Sequence, residues 1–377
     1  MTPRSSLIAV LLTASWGWGA CGPSPDPSVL FGQAEKLRRA YEQHASRLAI
    51  SKYREALALW SRSGNPGAAS RAGRGTGATF EQLGALQESV NAYQEALALS
   101  LQAHDAVLES GIRSDLGVAH ARLGEIGRAK SECQAALNVA TRLNAVPQQA
   151  QAFNCLGEVD YHRGDSRSAL SFYRQANAIW TNLNDRGGLA ESLLLEGSAL
   201  ADVNELEGAN RALTDALSLW RELGDKRGDA ITRLALTRLQ SIPGEYQEAL
   251  NHYTDLRDRF HAAGDLVWEA ASLSSMANIY ERLGERRAAL TYFEEASTLF
   301  EQTGLQMAAL ETTLKIGSGY LLRDPGIALS WFEKTRALSE QYGNQHMQLW
   351  ALRYIGLAHL ARGDPGQALQ YFERGAR

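Results

Sequence analysis

Few residues of this chain have the type and spacing that catalysis or metal binding requires. The three cysteines, Cys21, Cys133 and Cys155, include no Cys-x-x-Cys pair of the kind that clamps zinc, and the eight histidines are scattered. The sequence lacks the Walker phosphate loop, the HExxH zinc helix and the GxSxG nucleophile turn. The glycine-rich run 73–77 has the composition of a phosphate loop, but no strand precedes it. The sequence therefore predicts a protein that is not an enzyme and that holds no metal or cofactor.

Composition and charge exclude further classes. The chain has 377 residues, of which 45% are hydrophobic, so it has enough apolar residues for a large buried core. Lys and Arg number 38 against 42 Asp and Glu, for a formal net charge of −4. That balance argues against a nucleic-acid binder, which needs a basic face. Three cysteines are too few for a disulfide-built scaffold.

The elements that position the side chains repeat with a period of 40 residues. A small residue, usually glycine, lies twelve residues (once eleven) before most copies of the pattern Ala-Leu-x-x-aromatic-x-x-Ala. A turn glycine often lies seven residues after this small residue. Apolar residues at helical spacing, turn glycines and N-capping aspartates predict two antiparallel helices per repeat. The pattern starts at nine positions, 40 residues apart except for one step of 39: Ala49, Ser89, Ala129, Ala169, Ala209, Ala249, Ala289, Ala328 and Ala368.

The repeat resembles the tetratricopeptide repeat, most clearly in residues 276–280 (Met-Ala-Asn-Ile-Tyr) and 289–296 (Ala-Leu-Thr-Tyr-Phe-Glu-Glu-Ala). Its 40-residue length is similar to the repeats of kinesin light chains and to the arrays that precede CHAT-type, caspase-like peptidase domains in bacterial proteins. The resemblance covers residues 31–377. It implies an all-α fold, a right-handed α-solenoid of about eight to nine tetratricopeptide-like helix pairs.

The resemblance also implies a concave groove lined mainly by the first helix of each pair. Groove positions lie six and three residues before the small residue of that helix, and one, four and five residues after it. Polar side chains of both signs mix with aromatics there, which suits an extended peptide or protein segment. The expected function is therefore a non-catalytic protein-interaction scaffold. The groove residues expected to contact the ligand are Asn154, Glu158, Tyr161, Asn278, Arg282, Trp350 and Arg353.

The first thirty residues differ from the array. An apolar run at residues 7–12, well short of the roughly 20 residues of a spanning helix, precedes Gly19, Ala20 and Cys21. This order resembles a bacterial lipoprotein signal, which implies removal of residues 1–20 and lipidation of Cys21 at the cell envelope. Ordinary secretion and an uncleaved N-terminus are the alternatives. The prolines of residues 21–30 predict an extended tether. The lipid anchor is the only membrane attachment that we expect.

Cys133 and Cys155 fall on consecutive helices of the predicted array. Counting from the intervening turn near Ala145 places the two cysteines at similar heights on antiparallel neighbours. In an oxidising compartment they can form a disulfide; the other arrangement is a pair of buried free thiols.

The last predicted helix begins at Asp364 and stops at Arg377, short of the earlier copies. Its Tyr371 and Phe372 lack a following helix, and solenoids need a polar capping element. This uncapped end predicts a longer parent chain, a fragment, or burial against a partner or a second copy of the chain. The alternative function is the N-terminal sensor or regulatory region of a larger CHAT-type peptidase whose catalytic domain is missing from this chain.

Overall fold

The computed structural model describes residues 25–241 and 245–376, which form eighteen α-helices and no strand. The helices pair in chain order into nine antiparallel hairpins, each made of an odd-numbered and an even-numbered helix. Both the all-α class and the predicted repeat number are confirmed. The helices are α1 Pro27–Ala40, α2 Gln43–Arg62, α3 Pro66–Gln82, α4 Leu86–Gln102, α5 Ala106–Arg122, α6 Ile126–Arg142, α7 Val146–His162, α8 Ser166–Leu183, α9 Arg186–Asp202, α10 Leu206–Leu223, α11 Lys226–Gln240, α12 Tyr246–Ala263, α13 Leu266–Arg282, α14 Arg286–Thr303, α15 Gln306–Tyr320, α16 Pro325–Gln341, α17 Gln345–Ala361 and α18 Pro365–Ala376.

The turns between helices form where the sequence predicted them. Gly84 follows α3 with a φ of 73°, a left-handed conformation in which a Cβ atom is strained. At the starts of α9 and α11, Asp185 and Asp225 accept hydrogen bonds from the backbone N–H groups of Gly188 and Gly228, at 2.9 and 2.8 Å. Each bond satisfies one of the N–H groups that a helix start leaves unpaired. Local chemistry thus fixes the hairpins one by one.

Small residues on the odd helices let the even helices pack closely against them. Gly157 faces the ring of Tyr173, and a Cβ atom at Gly197 would lie 2.6 Å from Cγ of Leu213. Aromatic side chains then fill the space between neighbouring hairpins, and each buries roughly 150–250 Å² of surface. The fully buried aromatic residues at this repeat position are Tyr53, Tyr93, Tyr173, Tyr253 and Phe332.

The solenoid turns far enough for its first hairpins to meet its later ones. Contacts run between successive odd-numbered helices, which therefore line the inner side, while the even-numbered helices lie outside. Tyr41, after α1, donates a hydrogen bond to Asp265, before α13, at 3.0 Å. Leu305, before α15, packs against a core cluster that includes Leu86 and Leu123. We call this contact the seam: residues 40–43, 84 and 123–124 against residues 226–227, 264–267 and 303–306.

The array begins earlier than the sequence predicted. Helix α1 starts at Pro27, and Asp26 accepts a hydrogen bond from the backbone N–H of Ser28 at 2.8 Å. Proline fits there because a helix start has no intrahelical use for the N–H that proline lacks. Residues 27–30 are therefore helical, which corrects the last four residues of the predicted tether of residues 21–30. The predicted signal at residues 1–20 and the lipidation site at Cys21 lie outside the described residues.

Candidate binding channel

Contact at the seam closes the concave groove on itself, and we call the enclosed space, bordered by α3, α5, α7, α9, α11 and α13, the channel. Charged side chains bridge neighbouring helices along its wall. Arg74 binds Asp115 through two bonds, from Nε to Oδ2 at 2.5 Å and from Nη2 to Oδ1 at 3.1 Å. Gly111 makes room for this pair, because a Cβ atom there would lie 3.0 Å from Nη1 of Arg74. The carboxylate of Asp115 raises the pKa of Arg74, so the arginine stays charged.

Arg122 of α5 is a further charged residue of the channel wall, and it lies between carboxylates of the neighbouring helices α3 and α7. Its guanidinium contacts Glu81 of α3, and its Nη2 lies 3.5 Å from Oε1 of Glu158 on α7. Nε2 of His162 lies 3.4 Å from the other oxygen of Glu158. Burial acts to raise the pKa of Glu158, but the hydrogen bond with His162 and the charge of Arg122 outweigh it and lower the pKa to about 2. Glu158 is therefore an anion at any physiological pH.

Glu191 of α9 is different, because it forms no hydrogen bond or ion pair with any other described residue. Its side chain is exposed to water, yet the walls of the channel surround it. Desolvation of the carboxylate by these walls, together with the negative charges of Asp115, Glu158 and Glu81, raises the pKa of Glu191 to about 7. Arg122 offsets only part of this effect. A cationic group placed in the channel would therefore stabilise the ionised form of Glu191.

The structure places the three predicted site residues of α7 in the inner wall. Asn154 is 7% exposed and accepts a hydrogen bond through Oδ1 from the hydroxyl of Ser192 on α9, at 2.9 Å. Burial, together with the charge of Asp202, raises the pKa of Tyr161 to about 12. Asn154, Glu158 and Tyr161 thus already have partners within the chain and help to join α7 to its neighbours. Their contact with a ligand stays a prediction.

The predicted site residues of α13 lie farther along the same inner face. Both amide atoms of Asn278 are engaged: Nδ2 donates to the carbonyl oxygen of Ser274 at 2.8 Å, and Oδ1 accepts from Nζ of Lys315 at 2.6 Å. A peptide that binds Asn278 through both atoms must therefore displace these partners. Arg282 is exposed and has no ion-pair partner among the described residues.

Trp350 and Arg353 of α17 form a third group, which the structure brings together. Cζ of Arg353 lies 5.5 Å from the centre of the Trp350 ring, within the range of a cation–π contact. Nε1 of Trp350 donates to Nε2 of His346 at 3.1 Å. The three residues line an open pocket of about 620 Å³ together with Leu349, Leu357, Phe372 and Gly375.

The sequence-based list missed the residues that dominate the electrostatics of the channel. Glu191 lies six residues before Gly197 and Arg122 lies five residues after Gly117, so both occupy groove positions of the repeat. The positional rule thus contained these two residues. The sequence could not show which charged groups surround these two residues. Glu81 and Glu158 reach Arg122 from other repeats, and both of them, together with Asp115, reach Glu191 from other repeats. Within residues 25–241 and 245–376, no group of three or more His, Cys, Asp or Glu side chains could hold a metal ion.

Cys133 of α6 and Cys155 of α7 meet in the core beside the channel wall. Both are buried, their Cα atoms are 5.6 Å apart, and the sulfur atoms are joined as a disulfide. The Cα distance falls in the usual range for such bridges. Gly117 of α5 leaves the space they occupy, because a Cβ atom there would lie 2.6 Å from each sulfur. The geometry therefore suits a bridge, and its formation in solution is a prediction tested below.

Comparison with known protein families identifies tetratricopeptide repeats in the last third of the chain. The tetratricopeptide repeat family model matches residues 244–302 and 310–377, the last part of the array. A search of curated protein sequences finds no match for the chain.

Solved structures extend the same architecture over most of the chain. A Rap protein complexed with competence and sporulation factor has a TM-score of 0.63 and 13% identity, covering 81% of this chain and 86% of the Rap chain. NprR in complex with its cognate peptide NprX has a TM-score of 0.57 and 14% identity, covering 79% and 88%. Aspartyl phosphate phosphatase F from Bacillus subtilis has a TM-score of 0.50 and 13% identity, covering 95% and 94%. At such identities the likeness establishes the fold, a tetratricopeptide-like α-solenoid.

Proposed function

We propose that this chain is a non-catalytic scaffold that binds a peptide or protein segment in its channel. The observation that carries the proposal is the channel wall, where Arg74, Arg122 and Glu158 have charged partners and Glu191 has none among the described residues. Two proteins of similar fold, Rap and NprR, have been solved in complex with a peptide or a sporulation factor, which supports the same use of this fold.

The chemistry of the wall favours a peptide over a small molecule. Charged and amide groups occur on several odd helices, as in Arg74 of α3, Asn154 of α7 and Asn278 of α13, so they are distributed along the array. An extended chain presents backbone donors and acceptors at regular intervals and therefore matches a distributed set of polar groups. The free carboxyl group of Glu191 favours a segment that carries a lysine, an arginine or an amino terminus.

The test is selection from a library of random ten-residue peptides displayed on phage, with the full chain as bait. Selected peptides are then titrated against an inner-face variant, Glu191→Gln with Asn278→Ala and Arg282→Ala. We expect at least a tenfold loss of affinity, because each change removes a polar or charged group from the proposed site.

The matched control carries the same types of substitution on exposed positions of even-numbered, outer helices: Glu95→Gln, Asn138→Ala and Arg211→Ala. This variant is expected to bind the peptides as the unmodified chain does. Equal losses in both variants, or a library that yields no binder, would contradict the proposal.

We further propose that the scaffold is attached to the bacterial cell envelope through lipidated Cys21. The support is the order of the apolar run, Gly19, Ala20 and Cys21 in the sequence. Metabolic labelling with an alkyne fatty acid tests it: the full chain should incorporate the label and Cys21→Ser should not. The regulatory region of a CHAT-type peptidase stays a prediction that no feature of the described residues favours over a binding scaffold.

A further inference from the structure

Trp180 and Trp220 occupy the same position of consecutive repeats, near the ends of α8 and α10. Each indole ring lies over a glycine of the next odd-numbered helix, Gly188 or Gly228, where a Cβ atom would clash with the ring. Trp180 is 3% exposed, whereas Trp220 is partly exposed and lines an open pocket of about 460 Å³. The two repeats therefore differ in what covers the rest of the ring.

A leucine that covers the earlier ring is replaced by an aspartate in the next repeat. Leu189 packs against the core cluster that contains Trp180. The residue 40 positions after Leu189 is Asp229, which lines the pocket. Its two carboxylate oxygens accept hydrogen bonds from Nε of Arg221 at 3.2 Å and from Nε of Arg233 at 2.6 Å. A carboxylate held in this way does not bury an aromatic ring as leucine does, so the later ring borders open space.

Lys226 of the pocket lacks the carboxylate partner that its counterpart has. One repeat earlier, the equivalent cation Arg186 forms an ion pair with Glu222. The residue equivalent to Glu222 is Ala262, which lines the pocket and carries no charge. Nζ of Lys226 donates to the carbonyl oxygen of Ala40 at 3.1 Å and has no ion-pair partner among the described residues. An ammonium group has three donors, so Lys226 can still bind an anion.

The remaining charged groups of the pocket also have partners. Arg259 forms an ion pair with Asp255 at 2.9 Å. Asp225 accepts a hydrogen bond from the backbone N–H of Gly228 and so caps α11. Within the described residues, Lys226 is thus the cation of the pocket that no carboxylate neutralises.

We propose that this pocket binds a small molecule that carries an aromatic ring and a carboxylate. The ring packs on the open surface of Trp220, and Tyr41 contributes a second aromatic surface. The carboxylate binds Lys226 and so takes the place that Glu222 has beside Arg186 one repeat earlier. The volume lies within the range of small-molecule sites, roughly 300–1,000 Å³. The site is separate from the channel, because none of the charged residues described in the channel wall lines the pocket.

The test titrates the full chain with 3-phenylpropionate in a calorimeter and compares it with three relatives of the same probe. The amide 3-phenylpropanamide lacks the charge, 3-phenylpropylamine reverses it, and propionate lacks the ring. We expect saturable binding of 3-phenylpropionate and at least a roughly tenfold weaker affinity for each relative, because each loses the charge-assisted bond or the aromatic contact. Binding of the amine as tight as that of the acid, or no saturable binding of the acid, would overturn the proposal.

Two variants locate the binding. Lys226→Ala should weaken binding of 3-phenylpropionate roughly tenfold, and the matched control Arg186→Ala, which removes the equivalent cation one repeat earlier, should not change it. Ala262→Glu restores the glutamate of the earlier repeat, so it should fold as the unmodified chain does by circular dichroism and lose binding at least roughly tenfold. Equal losses in Lys226→Ala and Arg186→Ala, or unchanged binding in a folded Ala262→Glu chain, would refute the site.

Discussion

Reduction of the Cys133–Cys155 bridge should measurably destabilise the array. The bridge links α6 to α7 over a sequence separation of 22 residues. In the chain-entropy description, a cross-link that closes a loop of this size removes unfolded-state entropy worth roughly 3 kcal/mol at 25 °C. The reduced thiols would remain in an apolar site, because both side chains are at most 1% exposed. The loss of the loop constraint is therefore the main expected cost of reduction.

Urea unfolding followed by circular dichroism, with and without reductant, measures this cost. The unmodified chain should lose about 3 kcal/mol on reduction, and the Cys133→Ser/Cys155→Ser variant should not respond to reductant. A thiol reagent applied to the unfolded, unreduced Cys21→Ser variant should label no cysteine. Labelling of Cys133 and Cys155 in that experiment, or a stability independent of reductant, would show that the two residues are free thiols and that the reasoning is wrong.

Two further predictions concern the channel and the repeat interface. The folded-state pKa of Glu191 is raised to about 7 from 4.5, so the folded chain binds more protons than the unfolded chain between these values and loses stability as pH rises through them. Glu191→Gln should therefore leave the free energy of unfolding unchanged at pH 4 and raise it at pH 8, by on the order of 1 kcal/mol after solvent screening; the same shift at both values would contradict this. Gly197→Ala should cost about 1–3 kcal/mol by overpacking Leu213, whereas Gly32→Ala, with no atom within 4 Å of its added Cβ, should gain about 1 kcal/mol of helix propensity. Urea unfolding compares the two, and equal shifts would show that the close approach does not matter.

The sequence predicted the hairpins because their causes are local. A period of 40 residues, turn glycines such as Gly84 and N-capping residues such as Asp185 each act within a few residues of their own position. The one boundary error, at the tether, arose where local signals compete. Proline destabilises a helix interior but is accommodated at the first position of a helix. Asp26 supplies the N-cap that allows α1 to begin at Pro27.

The closure of the solenoid was decided only by the tertiary structure. It depends on the sum of small rotations between hairpins, and no single repeat encodes that sum. Asp185, Asp225 and Asp265 look equivalent in sequence, yet only Asp265 meets Tyr41 from a hairpin more than two hundred residues away. The same closure surrounds Glu191 with carboxylates from three other helices and raises its pKa. The sequence by itself therefore determined the repeat and its groove positions, while the charge and accessibility of the groove follow from which repeats the superhelix brings together.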